Sequence, residues 1–427
     1  MYYNIFGGVI EHMEMKNMLK YNRHWEKGFK YPFPKKREIC DTLLGYWDER
    51  QIVELVGLRR VGKTTLFFQI INHILEEGIN PFSIWYFTFD EETPNLEELF
   101  NIFSYQTRVD FKGEKVYIFL DEIQKLPNFQ NQLKVYYDLY PNLKFFISGS
   151  TSLFIKKKTQ ESLAGRVFSF FLTPLNFREY LYFKEKSHIL DKPFAFGQEI
   201  EKEFEIFLES QFIEAIEMKE PLKRKEYLIS IIKKIIFEDI PLTFPVENPE
   251  ILWRVVQIIG QNPGVVIDYQ SLSREIGISN KTLSSYFYYL EESFLLKKIY
   301  NFSRNMLTSE KKLKKFYLSS PSFCTALSDF VEKGKLVENL VISLRNYRFF
   351  WRDSYKHEVD FIFVENSEII PIEIKYKEKL FEKEFKNIFI FARKYKCPKA
   401  IYFRKNLKEE KLMFQDLLVE EKPIYFI

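Results

Sequence analysis

Residues 57 to 64 read Gly57-Leu58-Arg59-Arg60-Val61-Gly62-Lys63-Thr64, followed by Thr65. The run before them, residues 51–56, is apolar and β-branched and predicts a buried strand; residues 66–77 have helical spacing and few breakers. Strand, glycine-framed loop and helix in this order tightly constrain the local fold. The two glycines let the backbone curl so that successive N–H groups point inward, and the helix adds its positive N-terminal end. The product is a cradle for phosphate oxygens. The spacing G-x-x-x-x-G-K-T predicts Lys63 on the β- and γ-phosphates of ATP and Thr64 as a ligand of Mg2+. Gly57, Arg60, Gly62, Lys63, Thr64 and Thr65 are the expected phosphate-site residues, with Arg59 and Arg60 facing phosphate or a neighbouring domain.

A chain of 427 residues predicts two or three domains. Its net charge of +4 permits nucleic-acid binding without demanding it. Cys40, Cys324 and Cys397 lie far apart, which argues against a disulfide framework or a cysteine zinc site and for a reducing, cytoplasmic setting. No apolar run approaches a membrane span, so no membrane partner is expected, and residues 1–20 lack a cleavable signal pattern. Met13, Met15 and Met18 crowd there, which suggests a start downstream of Met1.

Five segments follow. Residues 1–20 are an N-terminal extension. Residues 21–180 alternate apolar strands (52–56, 83–89, 116–120 and 144–148) with helical stretches, the signature of a parallel α/β sheet with helices on both faces. Residues 181–249 form a helical region ended by Pro241, Pro245 and Pro249. Residues 250–320 have the pattern of a winged helix, and residues 335–427 that of a small α/β domain.

The second nucleotide signature is Val116-Tyr117-Ile118-Phe119-Leu120-Asp121-Glu122. A buried strand delivers Asp121 to its C-terminal edge, where open α/β sheets bind ligands. Asp121 is the expected Mg2+ residue, through water, and Glu122 the residue that polarises the attacking water. After strand 144–148, Ser148 or Ser150 is placed to sense the γ-phosphate. Arg166, before an aromatic strand, is either a finger that stabilises transition-state charge, from its own or a neighbouring subunit of a homo-oligomer, or a surface ion pair.

These segments, with Leu120-Asp121-Glu122-Ile123-Gln124, Ser148-Gly149-Ser150, Leu163-Ala164-Gly165-Arg166 and Pro174-Leu175-Asn176-Phe177-Arg178-Glu179-Tyr180, resemble the archaeal and bacterial AAA-type ATPases fused to a C-terminal domain of unknown function. The resemblance spans roughly residues 21 to 427. It implies an AAA+-like core, a winged helix and a restriction-endonuclease-like terminal domain. One departure is Ser319-Ser320-Pro321, where that family commonly has an Asp-Gly-type turn.

In the winged helix, Asn280, Lys281, Ser284, Ser285 and Tyr288 are the residues a DNA groove would meet. Lys297, Lys298, Lys311, Lys312, Lys314 and Lys315 are the expected phosphate flank. The competing reading is a protein wedge within the chain.

Farther on, Asp360, Glu373 and Lys375 form D-x12-E-x-K across an expected hairpin. Glu373 and Lys375 project from one face of a strand and Asp360 meets them from its neighbour. Glu338, on a helix, adds a third carboxylate. The set resembles the PD-(D/E)xK nuclease fold, with Glu338, Asp360 and Glu373 as metal ligands and Glu373 and Lys375 as catalytic groups. Two readings stay open: ATP turnover coupled to DNA binding or processing, or a nucleotide-dependent switch or scaffold with an inactive nuclease-like domain.

Overall fold

The computed structural model describes residues 15–150, 163–311, 313–366, 368–378 and 381–427. Most of the N-terminal extension, the crowded Met13, Thr151 and Lys312 lie outside these residues, as does the side chain of Lys311. The chain divides into two compact units, residues 1–172 and 173–427.

In the first unit a parallel sheet has the order β2-β3-β4-β1-β5. The strands are β1 (Ile52–Gly57), β2 (Ile84–Thr88), β3 (Val116–Asp121), β4 (Leu143–Gly149) and β5 (Val167–Leu172). The four expected strands are all present, with the serine strand β4 between the loop strand β1 and the acidic strand β3. β1, β3 and β4 are buried along their whole length, as a sheet covered on both faces requires. Helix α1 (Lys63–Glu76) buries Leu66, Phe67, Ile70, Ile71 and Ile74 as one stripe.

The residues before β1 close one edge of this sheet. The Asn22 amide pairs with both backbone groups of Tyr86, donating at 3.0 Å and accepting at 2.8 Å. His24 Nε2 and Trp25 Nε1 each lie 3.0 Å from the Ile84 carbonyl. Side chains thus satisfy edge groups of β2 that would otherwise invite another strand. The same segment clasps the loop: buried Arg37 donates to the Val61 carbonyl at 2.8 Å.

The second unit begins with helices, among them α2 (Gly197–Leu208), and continues into a nine-stranded sheet of order β13-β14-β12-β11-β10-β9-β7-β8-β6. Residues 265–318 supply β6 (Val265–Ile267), helix α3 (Asn280–Glu292), β7 (Leu296–Asn301) and β8 (Lys314–Leu318). Helix α4 (Lys333–Leu344) leads to β9 (Phe349–Arg352), β10 (Glu358–Glu365) and β11 (Glu368–Lys375). Then follow helix α5 (Lys386–Tyr395), β12 (Lys399–Arg404), β13 (Glu410–Phe414) and β14 (Leu417–Pro423). α5 packs Ile388 and Phe391 into a core with Trp351, Val359 and Tyr402. β7 pairs in parallel with β9, Tyr300 opposite Phe349, and so fuses the wing-like ladder to the terminal sheet.

Three lysines of the expected flank turn out to be engaged within the protein. Lys315 is 1% exposed, and its ammonium pairs with Glu338 and Glu358. Lys298 pairs with Glu291, and Lys297 donates to the Ser343 carbonyl at 3.2 Å. A strand bonded on both edges turns its side chains onto neighbouring layers, so these lysines serve the fold rather than a phosphate backbone. Asn280, Lys281 and Ser284 on α3 remain exposed.

Candidate functional site: a phosphate loop and a carboxylate cleft

The loop closes tightly onto the sheet. A Cβ on Gly57 would stand 2.3 Å from the Leu172 carbonyl oxygen, so no side chain fits where β1 meets β5. Gly62 has φ +99° at the start of α1, a left-handed turn that glycine adopts freely. Arg60 is also left-handed, at φ +67°, and exposed. Lys63, 5% exposed, folds back and donates to the Gly57 and Leu58 carbonyls at 3.1 and 3.0 Å. These are the contacts a phosphate can replace. Thr64 and Thr65 follow, half-buried.

The acidic pair stands beside the loop. Asp121 Oδ2 accepts from Thr64 Oγ1 at 2.5 Å and from Tyr86 at 3.0 Å, and Asp121 Oδ1 accepts from Ser148. Burial raises the Asp121 carboxyl above the usual range and the Glu122 charge adds to this, against the Ser148 and Thr64 hydroxyls and the Lys63 ammonium. A divalent cation would relieve that cost. The donor set, one hydroxyl touching one buried carboxylate at the mouth of the loop, suits a hydrated Mg2+, which uses few protein ligands.

Glu122 has φ +53°, a conformation costing roughly 1–2 kcal/mol for an L-residue. Its carboxylate lies 3.8 Å from the Lys63 ammonium and accepts from Ser150 at 3.1 Å and from Gln124. Gln124 in turn donates to Ser150 at 3.1 Å. The two serine candidates thus take different partners. Ser148 touches Asp121 and accepts from the Glu122 N–H at 3.2 Å, while Ser150 holds the Glu122 carboxylate. Sequence reasoning missed Tyr86, Gln124 and Arg37. Gln124 stood inside a quoted motif and Arg37 in a basic run, but Tyr86 carried no signal, since only strand pairing brings it to Asp121.

Arg166 is displaced from this site. The Ile52 N–H donates to the Arg166 carbonyl at 2.8 Å, which places Arg166 at the start of β1, while the loop follows its end. The length of β1 separates them by about 16 Å. Its guanidinium instead grips Asp138 at 2.8 and 3.1 Å. As a finger on its own chain's nucleotide, Arg166 is therefore corrected to an ion pair.

In the second unit, Glu338, Asp360, Glu373 and Lys375 do come together, lining a cleft of about 700 Å3. The β10–β11 register, Phe361 opposite Ile372, sets Asp360 beside Glu373. The groups are already spoken for. Glu373 accepts from Lys375 at 2.7 Å and from the Asp360 N–H at 3.4 Å, and Asp360 accepts from the Ile374 N–H at 2.9 Å. Glu338 is held by Lys315 at 3.2 Å, Lys335 at 2.7 Å and Tyr317. Burial works to raise Glu338, yet the two ammonium groups more than offset it and hold the carboxyl at about 2. Burial, with the charge of Asp360, pushes Glu373 up to about 8. Among the described residues, no group of three or more His, Cys, Asp or Glu side chains is arranged to hold a metal. The expected metal set of Glu338, Asp360 and Glu373 is thus brought together, with lysines paired to Glu338 and Glu373. Sequence reasoning did not anticipate Lys315, Lys335 or Glu358.

Comparison with known proteins follows this division. Residues 49–181 match a family described as AAA domain; residues 212–333 and 333–420 match two domains of unknown function, DUF8612 and DUF4143. An uncharacterized protein of Methanocaldococcus jannaschii is 28% identical over 359 residues, covering 79% of this chain and 77% of its own. A second from the same organism is 27% identical over 441 residues, covering 94% and 90%. Among solved structures, the Aeropyrum pernix ORC2 protein in its ADP form is similar over 75% of this chain and 99% of its own, at 12% identity and a TM-score of 0.35. Among the described residues no helix is long and apolar enough to cross a membrane. The AAA-domain match over residues 49–181 thus falls on the P-loop sheet, and the DUF4143 match over residues 333–420 falls on the terminal strands around the carboxylate cleft.

Proposed function

We propose that the first unit binds MgATP and hydrolyses it, and that the second unit responds as a nucleotide-dependent switch rather than as a metal nuclease. The observation that carries the first half is the relation of Glu122 to Lys63. A carboxylate gripped by Ser150 and Gln124 stands 3.8 Å from the ammonium that greets the phosphates. In this reading Lys63 leaves the Gly57 and Leu58 carbonyls for the β- and γ-phosphates, and Thr64 and Asp121 hold the cation. When bound, Mg2+ neutralises phosphate charge. Glu122 orients a water and accepts its proton, while Ser148 fixes Asp121 and the backbone of Glu122.

The lysine-held carboxylates of the C-terminal cleft favour the switch over nucleic-acid cleavage. A DNA contact through the exposed Asn280, Lys281 and Ser284 is compatible with either. One experiment addresses both halves: ATP turnover with and without duplex DNA, scored for Mg2+-dependent nicking in the same tubes. ATP turnover that disappears in Glu122→Gln, with no nicking, is the expected result. Nicking that is lost in Asp360→Asn would refute the switch reading, and turnover undiminished in Glu122→Gln would refute the ATP site.

A further inference from the structure

We infer that Lys315, buried behind Glu338, acts with Lys335 on Glu338 and Lys375 on Glu373 as the resident cations of the Glu338–Asp360–Glu373 cleft, so that the cleft is closed to divalent metal and serves instead as the joint between the wing-like ladder and the terminal sheet. This rests on the switch reading above.

The geometry is specific. Lys315 belongs to β8, a strand bonded to β6 on one side and β7 on the other. Its side chain crosses to two elements of the terminal domain, reaching Glu338 on α4 at 3.2 Å and Glu358 on β10 at 2.6 Å. The Lys315 and Glu338 side chains are 1% and 5% exposed, so water hardly screens their contact, while Glu358 is 26% exposed. The three candidate ligands offer six carboxylate oxygens. Both of Glu338, both of Glu373 and one of Asp360 accept from protein donors. Mg2+ demands near-octahedral oxygen geometry and would have to displace these donors. A buried ammonium already supplies the positive charge that a cation would bring, without the cost of dehydrating it.

The cleft is also ill suited to a polyanion. Seven carboxylates and six lysines line it, so the local field is nearly balanced. Helix α2 contributes Glu201 and Glu205 to that lining and is strapped there by Lys405 to Glu201 and by Lys333 to Glu205 at 2.5 Å. A phosphodiester strand entering the cleft would meet these two carboxylates.

The test is Mn2+ binding to the nucleotide-free full chain, read by calorimetry and by electron paramagnetic resonance. All proteins carry Asp121→Asn, so that the ATP-site cation does not contribute. The parent should show no binding that depends on Asp360. Lys315→Met should bind one Mn2+ about 10- to 100-fold more tightly than the parent, with the gain lost on adding Asp360→Asn. Lys315→Met takes one cation from Glu338, which keeps Lys335 and Tyr317, and one from Glu358, which keeps Arg352; its unfolding temperature should fall, and Glu338→Gln added to it should restore part of the loss. Should Lys315→Met fail to fold, that rescue in the double variant still supports the joint, and its absence counts against it. Asp360-dependent Mn2+ binding by the parent would overturn the inference. So would a Lys315→Met protein with unchanged stability and no gain in Mn2+ binding. ATP affinity of the same chains with Asp121 intact reports on the loop separately, so failure of one reading is not mistaken for failure of the other.

Discussion

Replacing Lys63 by alanine tests the loop most directly. In the folded chain its ammonium is buried, held by two carbonyls at 3.1 and 3.0 Å and 3.8 Å from Glu122. At an effective dielectric of about 20, a unit charge pair at this separation is worth roughly 4 kcal/mol before desolvation. A triphosphate offers more negative charge than one carboxylate, and the carbonyl contacts are exchanged for phosphate contacts. The net loss on removing Lys63 is then that of one charged hydrogen-bonding group, about 1.5–3 kcal/mol. That weakens ATP binding about 10- to 100-fold. AMP, lacking the β- and γ-phosphates, should bind Lys63→Ala and the parent alike. Calorimetric titration with ATP, ADP and AMP reads all three. Equal ATP affinity in both proteins would refute the placement of Lys63 at the phosphates. An equal loss for AMP would show that the substitution damaged the fold instead.

Glu122→Gln should retain ATP binding while turnover falls about 100- to 10,000-fold, measured as phosphate release; a fall below tenfold would remove Glu122 from the chemistry. Arg166→Ala should leave turnover per chain unchanged across protein concentrations and cost about 1 kcal/mol of stability, because it loses a part-exposed pair with Asp138 and weak contacts with the Tyr137 ring and the Ala164 carbonyl. A concentration-dependent loss of turnover would instead reveal a finger acting on a neighbouring copy. Burial, partly offset by the Ile84 carbonyl, lowers His24 to about 4 from 6.5, so the unfolded chain binds the extra proton between those values. Stability is therefore complete above pH 6.5 and declines towards pH 4, by up to about 3 kcal/mol. Urea unfolding at pH 7 and pH 4.5 should show this fall in the parent and a smaller one in His24→Gln.

How much was legible follows from how local each signal is. The strand, loop and helix of residues 51–77 could be read because G-x-x-x-x-G-K-T fixes backbone shape within one turn. Asp121 and Glu122 could be read because a short apolar strand must end at a sheet edge. Arg166 misled because an arginine near an aromatic strand says nothing about which end of the sheet it occupies; the pairing of β5 with β1 decides that. The lysines 297, 298 and 315 misled for a related reason. A basic strand looks like a surface until partners on other elements take its ammonium groups, and here Glu338 and Glu358 take Lys315, Glu291 takes Lys298 and the Ser343 carbonyl takes Lys297.

Sequence alone determined what chemistry the first unit can hold, since phosphate recognition resides in backbone curvature and a few adjacent side chains. It also determined that Asp360, Glu373 and Lys375 would meet, because strand periodicity and one hairpin bring them together. Only the tertiary structure decided what those groups do with their charge. Lys315 lies 23 residues before Glu338 in the chain and reaches it through a nine-stranded sheet. A buried carboxylate takes whatever cation the fold places beside it, and here the fold places an ammonium.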